Sequence, residues 1–311
     1  MLYLTEQDVH RLLDMPQAIA LVREAFAGLA AGAVVNHPRR RLVLPTGSVL
    51  HYMAAGNPQY YGIKVYATNR KTGAHFLFLL YRSEDATPLA IIEANALGQL
   101  RTGAASGFAT DLLARRDANT LAIIGSGFQA ETQVAAVAAV RPLKEIRIWS
   151  RTPERREAFA VKLREQGHQS AVVAASAEAA VRGADILVTA TNSKDPVFDA
   201  EWVPPGTHIN AAGSNQANRR ELPPEILNRA ALIAVDSLEQ MEMESGDLLL
   251  AREEGKWSGQ GVIELAHVAG RKNPDDITIF KSNGLAIEDV VAAGWVYERA
   301  VAAGINRALP C

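Results

Sequence analysis

The 311-residue chain has a single cysteine, Cys311, at its last position. One thiol excludes an intramolecular disulfide and fits a reducing, cytoplasmic compartment, with Cys311 itself a bystander. Long hydrophobic runs are also missing. No stretch of about 18 uninterrupted apolar residues occurs, so no transmembrane helix is expected. The N-terminal MLYLTEQDVHRLLD has no basic segment leading into an apolar one, so it does not read as a secretory signal. Nor does one sign of charge dominate: 32 basic against 34 acidic residues leave a net charge of −2. Apart from PRRR at 38–41 there is no dense basic block, which argues against a nucleic-acid or membrane-surface partner. The seven histidines show no HxH, HExxH or cysteine-paired spacing, so no metal site is predicted.

What is present is a globular composition, 48% hydrophobic, long enough for two cores. Thr5 with Asp8 forms a capping pair before VHRLLD, and Asp14 caps a second helix that carries Pro16 in its first turn and ends at Gly32. From 38 to 92 the hydrophobic period becomes two. Short β-branched or aromatic runs (RRRLVLP, SVLHYMAAG, YYGIKVYATN, AHFLFLLYR, PLAIIEA) alternate with turn residues, which predicts a meandering, mainly antiparallel sheet. NALGQLRTGAASGFATDLLARR is then helical. From 119 strands alternate with helices: TLAIIG, EIRIWS, SAVVAA, DILVTAT, THINAAG and ALIAVDS, with helices between the first four. Near-continuous apolar strands of this kind predict a parallel sheet covered on both faces. TIFKSNGLAIEDVVAAGWVYERAVAAG adds a last strand, a glycine turn and a long helix.

The segment NTLAIIGSGFQAETQ matches the dinucleotide-binding pattern GxGxxG/A at Gly125, Gly127 and Ala130. The match lies in a complete βαβ unit of about 30 residues, the setting the pattern requires. Gly125 allows the tight turn, Gly127 the approach of a pyrophosphate, and Ala130 close packing of helix on strand. The fold class is therefore α/β: a Rossmann doubly wound parallel sheet plus an α+β part with a mainly antiparallel sheet. The second strand of the unit ends in WSRTPERR, with no acid until Glu154. An acid there would hold the ribose 2′-hydroxyl of NAD; Ser150, Arg151 and Thr152 suit a 2′-phosphate instead. NADPH is the expected cofactor, with NADH as the alternative.

With these residues and LGQLRTGAASG, EWVPPGTHINAAGSN, RREL, ESGDLL and FKSNGLAIEDV, the chain resembles the ornithine cyclodeaminase/mu-crystallin family over nearly its whole length. The resemblance implies a substrate-binding and dimerisation domain, residues 1–117 completed by a C-terminal helix over 285–311, and a Rossmann domain over 118–284. It also implies a homodimer. The family includes cyclodeaminases, amino-acid dehydrogenases, ketimine reductases and mu-crystallin, all of which use or bind a nicotinamide dinucleotide.

By motif match the resemblance implies Arg40, Lys64 and Arg101 as the cations that hold a substrate carboxylate. Alternation puts Arg39 and Arg41 on the face opposite Arg40, and a one-residue slip selects Arg41. Lys64 shares a face with Tyr66, opposite Ile63 and Val65. Further cofactor contacts carried over are Thr102, Gln129, Ser150, Arg151, Thr152 and Thr191. Ser282 is either a cofactor contact or a helix cap. Two positions depart from cyclodeaminases. Where those have an aspartate that handles a proton or a water, this chain has Asn215, which cannot act as a general base. Where they have a glutamate near the substrate amine, it has His51, a residue able to donate a proton.

The expected activity is reduction of an α-imino acid by NAD(P)H, with Lys64 or His51 supplying the proton. The imine is cyclic, such as pyrroline-2-carboxylate, or derived from a 2-oxo acid, and the reverse is amino-acid dehydrogenation. A cyclodeaminase with recycled NAD and a mu-crystallin-like protein that binds NADPH and a small ligand are the alternatives.

Overall fold

The computed structural model describes residues 1–69, 71, 73–307 and 309. Cys311 lies outside the described residues. The chain divides into two compact units, Met1–Ala104 with Gly284–Cys311, and Ala105–Asn283. The first begins with β1 (Leu2–Leu4), α1 (Glu6–Leu12), α2 (Met15–Ala30), β2 (Val35–Asn36) and β3 (Arg40–Val43). It continues with β4 (Val49–Gly56), β5 (Tyr60–Asn69), β6 (Gly73–Arg82) and β7 (Pro88–Glu93). Helix α3 (Asn95–Leu113) crosses the division between the units. The second unit holds β8 (Thr120–Ile124), α4 (Phe128–Val140), β9 (Glu145–Trp149), α5 (Pro153–Glu165), β10 (Ala171–Val173) and α6 (Ala177–Val181). After these come β11 (Ile186–Thr189), β12 (His208–Ala211), α7 (Pro224–Arg229), β13 (Ala230–Val235) and α8 (Leu238–Glu244). Helix α9 (Gly246–Glu253), β14 (Val262–Glu264) and β15 (Ile277–Lys281) close it, and α10 (Ala286–Ala302) returns to the first unit.

The predicted caps form. Thr5 and Asp8 make a reciprocal capping box on α1, and the Asp14 side chain accepts from the Gln17 N–H at the start of α2. Before them stands β1, a three-residue strand too short for any period to show. The first sheet runs β1-β7-β6-β5-β4-β2, with β3 also on β4; every pair is antiparallel except β1 with β7. One of its faces is apolar and covered: Met53, Phe78 and Ile92 are buried there, and α10 packs on β4, β5 and β6.

All eight strands of the second sheet are parallel, in the order β10-β9-β8-β11-β12-β15-β13-β14. Alternate residues of the central strands β8 and β11 feed two separate cores, to which their neighbours add. Leu121, Ile123, Ile146, Ile148 and Val188 pack with residues of α4 and α5. Ala122, Ile124, Leu187, Ile209 and Ile279 pack with residues of α6, α7, α8 and α9 on the other face. The doubly wound sheet expected from the apolar strands is the one observed. Strand order reverses beside β8, which places the glycine turn at the position where such sheets bind ligands.

A histidine is sealed inside this unit. His208 in β12 is fully buried, with Nδ1 3.0 Å from the Thr278 hydroxyl and Nε2 3.2 Å from the Asn210 amide oxygen. Burial, helped by the Arg271 and Arg141 guanidiniums, pulls the imidazole down from 6.5 to about 3. The neutral ring is the folded form, so its contribution to stability is complete above about pH 6.5 and is lost as the pH falls from there towards 3. Between pH 7 and pH 5 the loss amounts to about 2 kcal/mol. Urea unfolding at both pH values checks this: a folded His208→Gln variant loses about 2 kcal/mol less over that interval, and equal losses contradict it.

Candidate functional site

In the first unit the sheet and two helices bring four charges together. Lys64, only 2% exposed, points from β5 towards α10, where its Nζ donates to Asp289 Oδ1 at 2.9 Å. Arg101 in α3 donates through Nε to the same oxygen at 3.2 Å and through Nη1 to Glu288 Oε2 at 2.9 Å. Both carboxylates are fully buried. Burial pushes the Asp289 carboxyl up, but Arg101 and Lys64 outweigh it and hold it below the usual carboxylate range. Burial also dominates at Lys64, with Arg101 and Arg39 adding to it, and lowers the ammonium from 10.5 to about 8 despite Asp289. The two glycines nearest these cations make the room: a Cβ at Gly98 would stand 2.5 Å from Lys64 Nζ, and one at Gly284 would overlap the Arg101 guanidinium.

Strand register separates the three arginines. Arg40 pairs with Tyr52, and through it with Val65, so it lies on the sheet face opposite Lys64 and is exposed. Arg41 pairs with His51, and through it with Tyr66, and shares the Lys64 face. Arg39 continues that face, is buried, and donates to the Met53 sulfur at 3.6 Å; Met53 is the register partner of Lys64. The buried arginine on the Lys64 side is therefore Arg39. In a strand of period two, an error of one residue exchanges faces. His51 stacks flat on Tyr66 with ring centroids 4.4 Å apart, and its Nε2 lies 3.0 Å from the Thr68 hydroxyl. Burial, then Arg41 and Arg39, pull it down to about 4, so it is a neutral imidazole near pH 7. Thr102 lies on α3 beside Arg101, and its hydroxyl donates back to the Gly98 carbonyl at 2.7 Å.

The second unit carries the glycine turn at the end of β8. Gly125 has φ +121°, and a Cβ there would overlap the Ala190 carbonyl, so only glycine fits. Gly127 is the N-cap of α4 and supplies no capping side chain. Nothing stands within 4 Å of a Cβ built on it. A helix start with no side-chain cap, open space and the positive end of a 13-residue helix fit a pyrophosphate. Ala130 is fully buried against the sheet, and the Gln129 side-chain oxygen is buried without a hydrogen-bond partner.

At the end of β9, Ser150 accepts from the Ser126 hydroxyl at 3.0 Å, while Arg151 and Thr152 are exposed. Arg156, which the motif reading did not single out, stacks on Trp149 at 4.2 Å and donates to the Ser150 carbonyl at 3.0 Å. Thr191 follows β11, where its hydroxyl accepts from the Ser193 N–H at 3.2 Å. Asn215 is half-buried in the loop after β12. Ser282 follows β15, and its N–H donates to the Ala211 carbonyl at 3.0 Å. The N-cap of α10 is Leu285, so Ser282 is not that helix's cap.

Residues 1–304 match the ornithine cyclodeaminase/mu-crystallin family. The chain belongs to that family. A delta(1)-pyrroline-2-carboxylate reductase from Bacillus cereus is 35% identical, over 98% of each chain. Among solved structures, the Thermococcus litoralis delta(1)-pyrroline-2-carboxylate reductase in complex with NADH and L-proline superposes with a TM-score of 0.94. It is 33% identical and covers 99% of this chain and 100% of its own. An archaeal alanine dehydrogenase dimer with bound NAD has a TM-score of 0.92 and 34% identity, covering 98% of both chains.

The cations Lys64 and Arg101 and the acids Glu288 and Asp289 behave as one unit, and removing one member strands another. Lys64→Met is expected to destabilise the protein by about 3–5 kcal/mol in urea unfolding, because it leaves Asp289 short of a cation. Lys64→Met with Asp289→Leu should recover a large part of that loss. If the two substitutions add independently, the coupling is refuted.

Proposed function

We propose that this protein is an NAD(P)H-dependent reductase of α-imino acids, working in reverse as an amino-acid dehydrogenase. The observation that carries this reading is the group of buried cations in the first unit. Arg39, Lys64 and Arg101 are all buried, and Arg39 and Arg101 lie close enough to Lys64 to depress its ammonium despite Asp289. A dry site lined by lysine and arginine suits one small carboxylate. In this reading the first unit binds the substrate and the second the dinucleotide, the division of labour that the family resemblance implies.

When bound, the nicotinamide dinucleotide supplies a hydride for the imine carbon. Arg101 and Arg39 hold the substrate carboxylate. Lys64 gives a proton from Nζ to the imine nitrogen, and Asp289 keeps that ammonium oriented. His51, neutral near pH 7, lines the same sheet face and is not the acid. Asn215, lacking a titratable group, leaves the site without the base that deaminating cyclisation needs. Arg151, with Arg156 beside Ser150 and no acid before Glu154, supports NADPH over NADH. The lone cysteine of the sequence fits a cytoplasmic location.

The homodimer rests on the uncovered face of the first sheet. Leu42, Leu50, Tyr52, Tyr61 and Leu77 are exposed there on four neighbouring strands, an apolar patch that suits a second copy. Light scattering after gel filtration is expected to give a dimer, and Tyr52→Lys with Leu77→Lys a monomer. A monomeric parent protein would remove this part of the proposal.

Turnover is tested with pyrroline-2-carboxylate, its six-membered homologue, iminosuccinate, and 2-oxo acids with ammonia or methylamine, each with NADPH and NADH. Oxidation of NADPH by at least one imine is expected, with kcat/KM at least about tenfold above that with NADH, the scale of one charge-assisted contact. Because neutral Lys64 has no proton to give, kcat/KM should fall as pH rises through about 8. Dinucleotide binding without turnover of any imine would favour the binding-protein alternative. Ammonia release from ornithine without net change in the cofactor would favour the cyclodeaminase.

A further inference from the structure

Three segments that carry the family resemblance, RREL, ESGDLL and FKSNG, hold none of the groups assigned above to substrate chemistry. The second unit brings one residue of each together. Lys281, the last residue of β15, is fully buried; its Nζ lies 2.9 Å from Asp247 Oδ2 and donates to the Ser214 carbonyl at 2.6 Å. Asp247 Oδ1 accepts the N–H groups of Glu221 and Leu222. Glu221, also fully buried, then uses both its carboxylate oxygens on loop backbone: Oε1 accepts from Thr191 N–H at 2.6 Å and Oε2 from Gly213 N–H at 2.8 Å. A side chain at 213 would overlap the Thr191 backbone and the Glu221 carboxylate, so the two loops meet only because residue 213 is glycine.

The loops so joined follow β11 and β12, neighbours in the sheet on the far side of β8 from β9 and β10. They lie at the carboxyl ends of the strands, beside the point where strand order reverses. Stability alone does not account for this construction. One lysine and two carboxylates are buried together in a dry interior, and an apolar replacement of similar volume would serve the core as well or better. Burial and the neighbouring Asp247 push the Glu221 carboxyl upward against the pull of Lys281. What charge-assisted bonds to backbone N–H groups add is fixed loop geometry.

We propose that Glu221, backed by Asp247 and Lys281, is a positioning residue that holds the loops of Thr191 and Asn215 where the nicotinamide half of the dinucleotide binds. This rests on the reading that the second unit binds a dinucleotide. The glycine turn and the Arg151 strand end engage the other half of that molecule, so the two halves respond separately to substitution.

The test uses Glu221→Gln in the full chain, with binding followed by calorimetry and folding by circular dichroism and thermal melting. The probes are NADPH and adenosine 2′,5′-bisphosphate, which lacks the nicotinamide. An amide can accept from only one of the two loop N–H groups and turns its NH2 towards the other. The expected result is a folded variant whose Kd for NADPH rises at least about tenfold, the scale of one lost charge-assisted bond. Its Kd for the bisphosphate should stay within about twofold. Equal weakening of both probes, or of neither, overturns the proposal. If Glu221→Gln does not fold, Glu221→Asp is read by the same two probes, and failure of both to fold makes the role structural and also overturns it. Failure of the parent protein to bind either NADPH or NADH would instead refute the underlying dinucleotide reading.

Discussion

A lysine ammonium on the covered face of a sheet has to meet a carboxylate, because burying it alone would cost more than the fold can offset. Much of the first unit follows from that one requirement at Lys64. The acid comes from α10, at the far end of the chain, and it serves Arg101 through the same oxygen. The position of Asp289 thereby sets where α10 sits on β4, β5 and β6, and Gly98 and Gly284 are small so that the cations reach it.

The second unit solves the same problem with the same geometry. Lys281 ends one strand and meets Asp247, as Lys64 on another meets Asp289. Both aspartates lie in the first turn of a helix, α9 in one case and α10 in the other. There the helix dipole favours a negative charge, so part of the desolvation is offset before the lysine arrives. The difference lies in what the carboxylates do besides. Asp247 turns to the backbone of Glu221 and so reaches loops, whereas Asp289 turns to a second cation.

Much of this was legible from residues alone. The capping box at Thr5 and Asp8, the antiparallel meander and the alternating apolar strands follow local rules of period and capping, and they form as those rules dictate. Strands β1 and β14, three residues each, are too short to show a period and take their form from β7 and β13. The choice among Arg39, Arg40 and Arg41 turned on register, which is fixed by the pairing of β3 with β4 and invisible in a run of three identical side chains. Asp289, Glu221 and Lys281 lie inside motifs, yet nothing local marks them. Their meaning depends on partners far along the chain: Lys64 stands 225 residues from Asp289, and Ser214 stands 67 from Lys281. Ser282, open in the sequence to a cap or a cofactor contact, stands three residues before the actual cap, Leu285.

The first unit is discontinuous, and this has a consequence for how the protein is made. The second unit, Ala105–Asn283, is contiguous and is complete before the last helix has been translated. The first sheet emerges earliest, yet it waits for Gly284–Cys311 to supply the carboxylates for Lys64 and Arg101. On the ribosome the order of maturation therefore inverts the order of synthesis, with the middle of the chain settling first and its beginning last. Until then an apolar sheet with an unneutralised lysine is exposed, the kind of nascent intermediate that chaperones shield from aggregation.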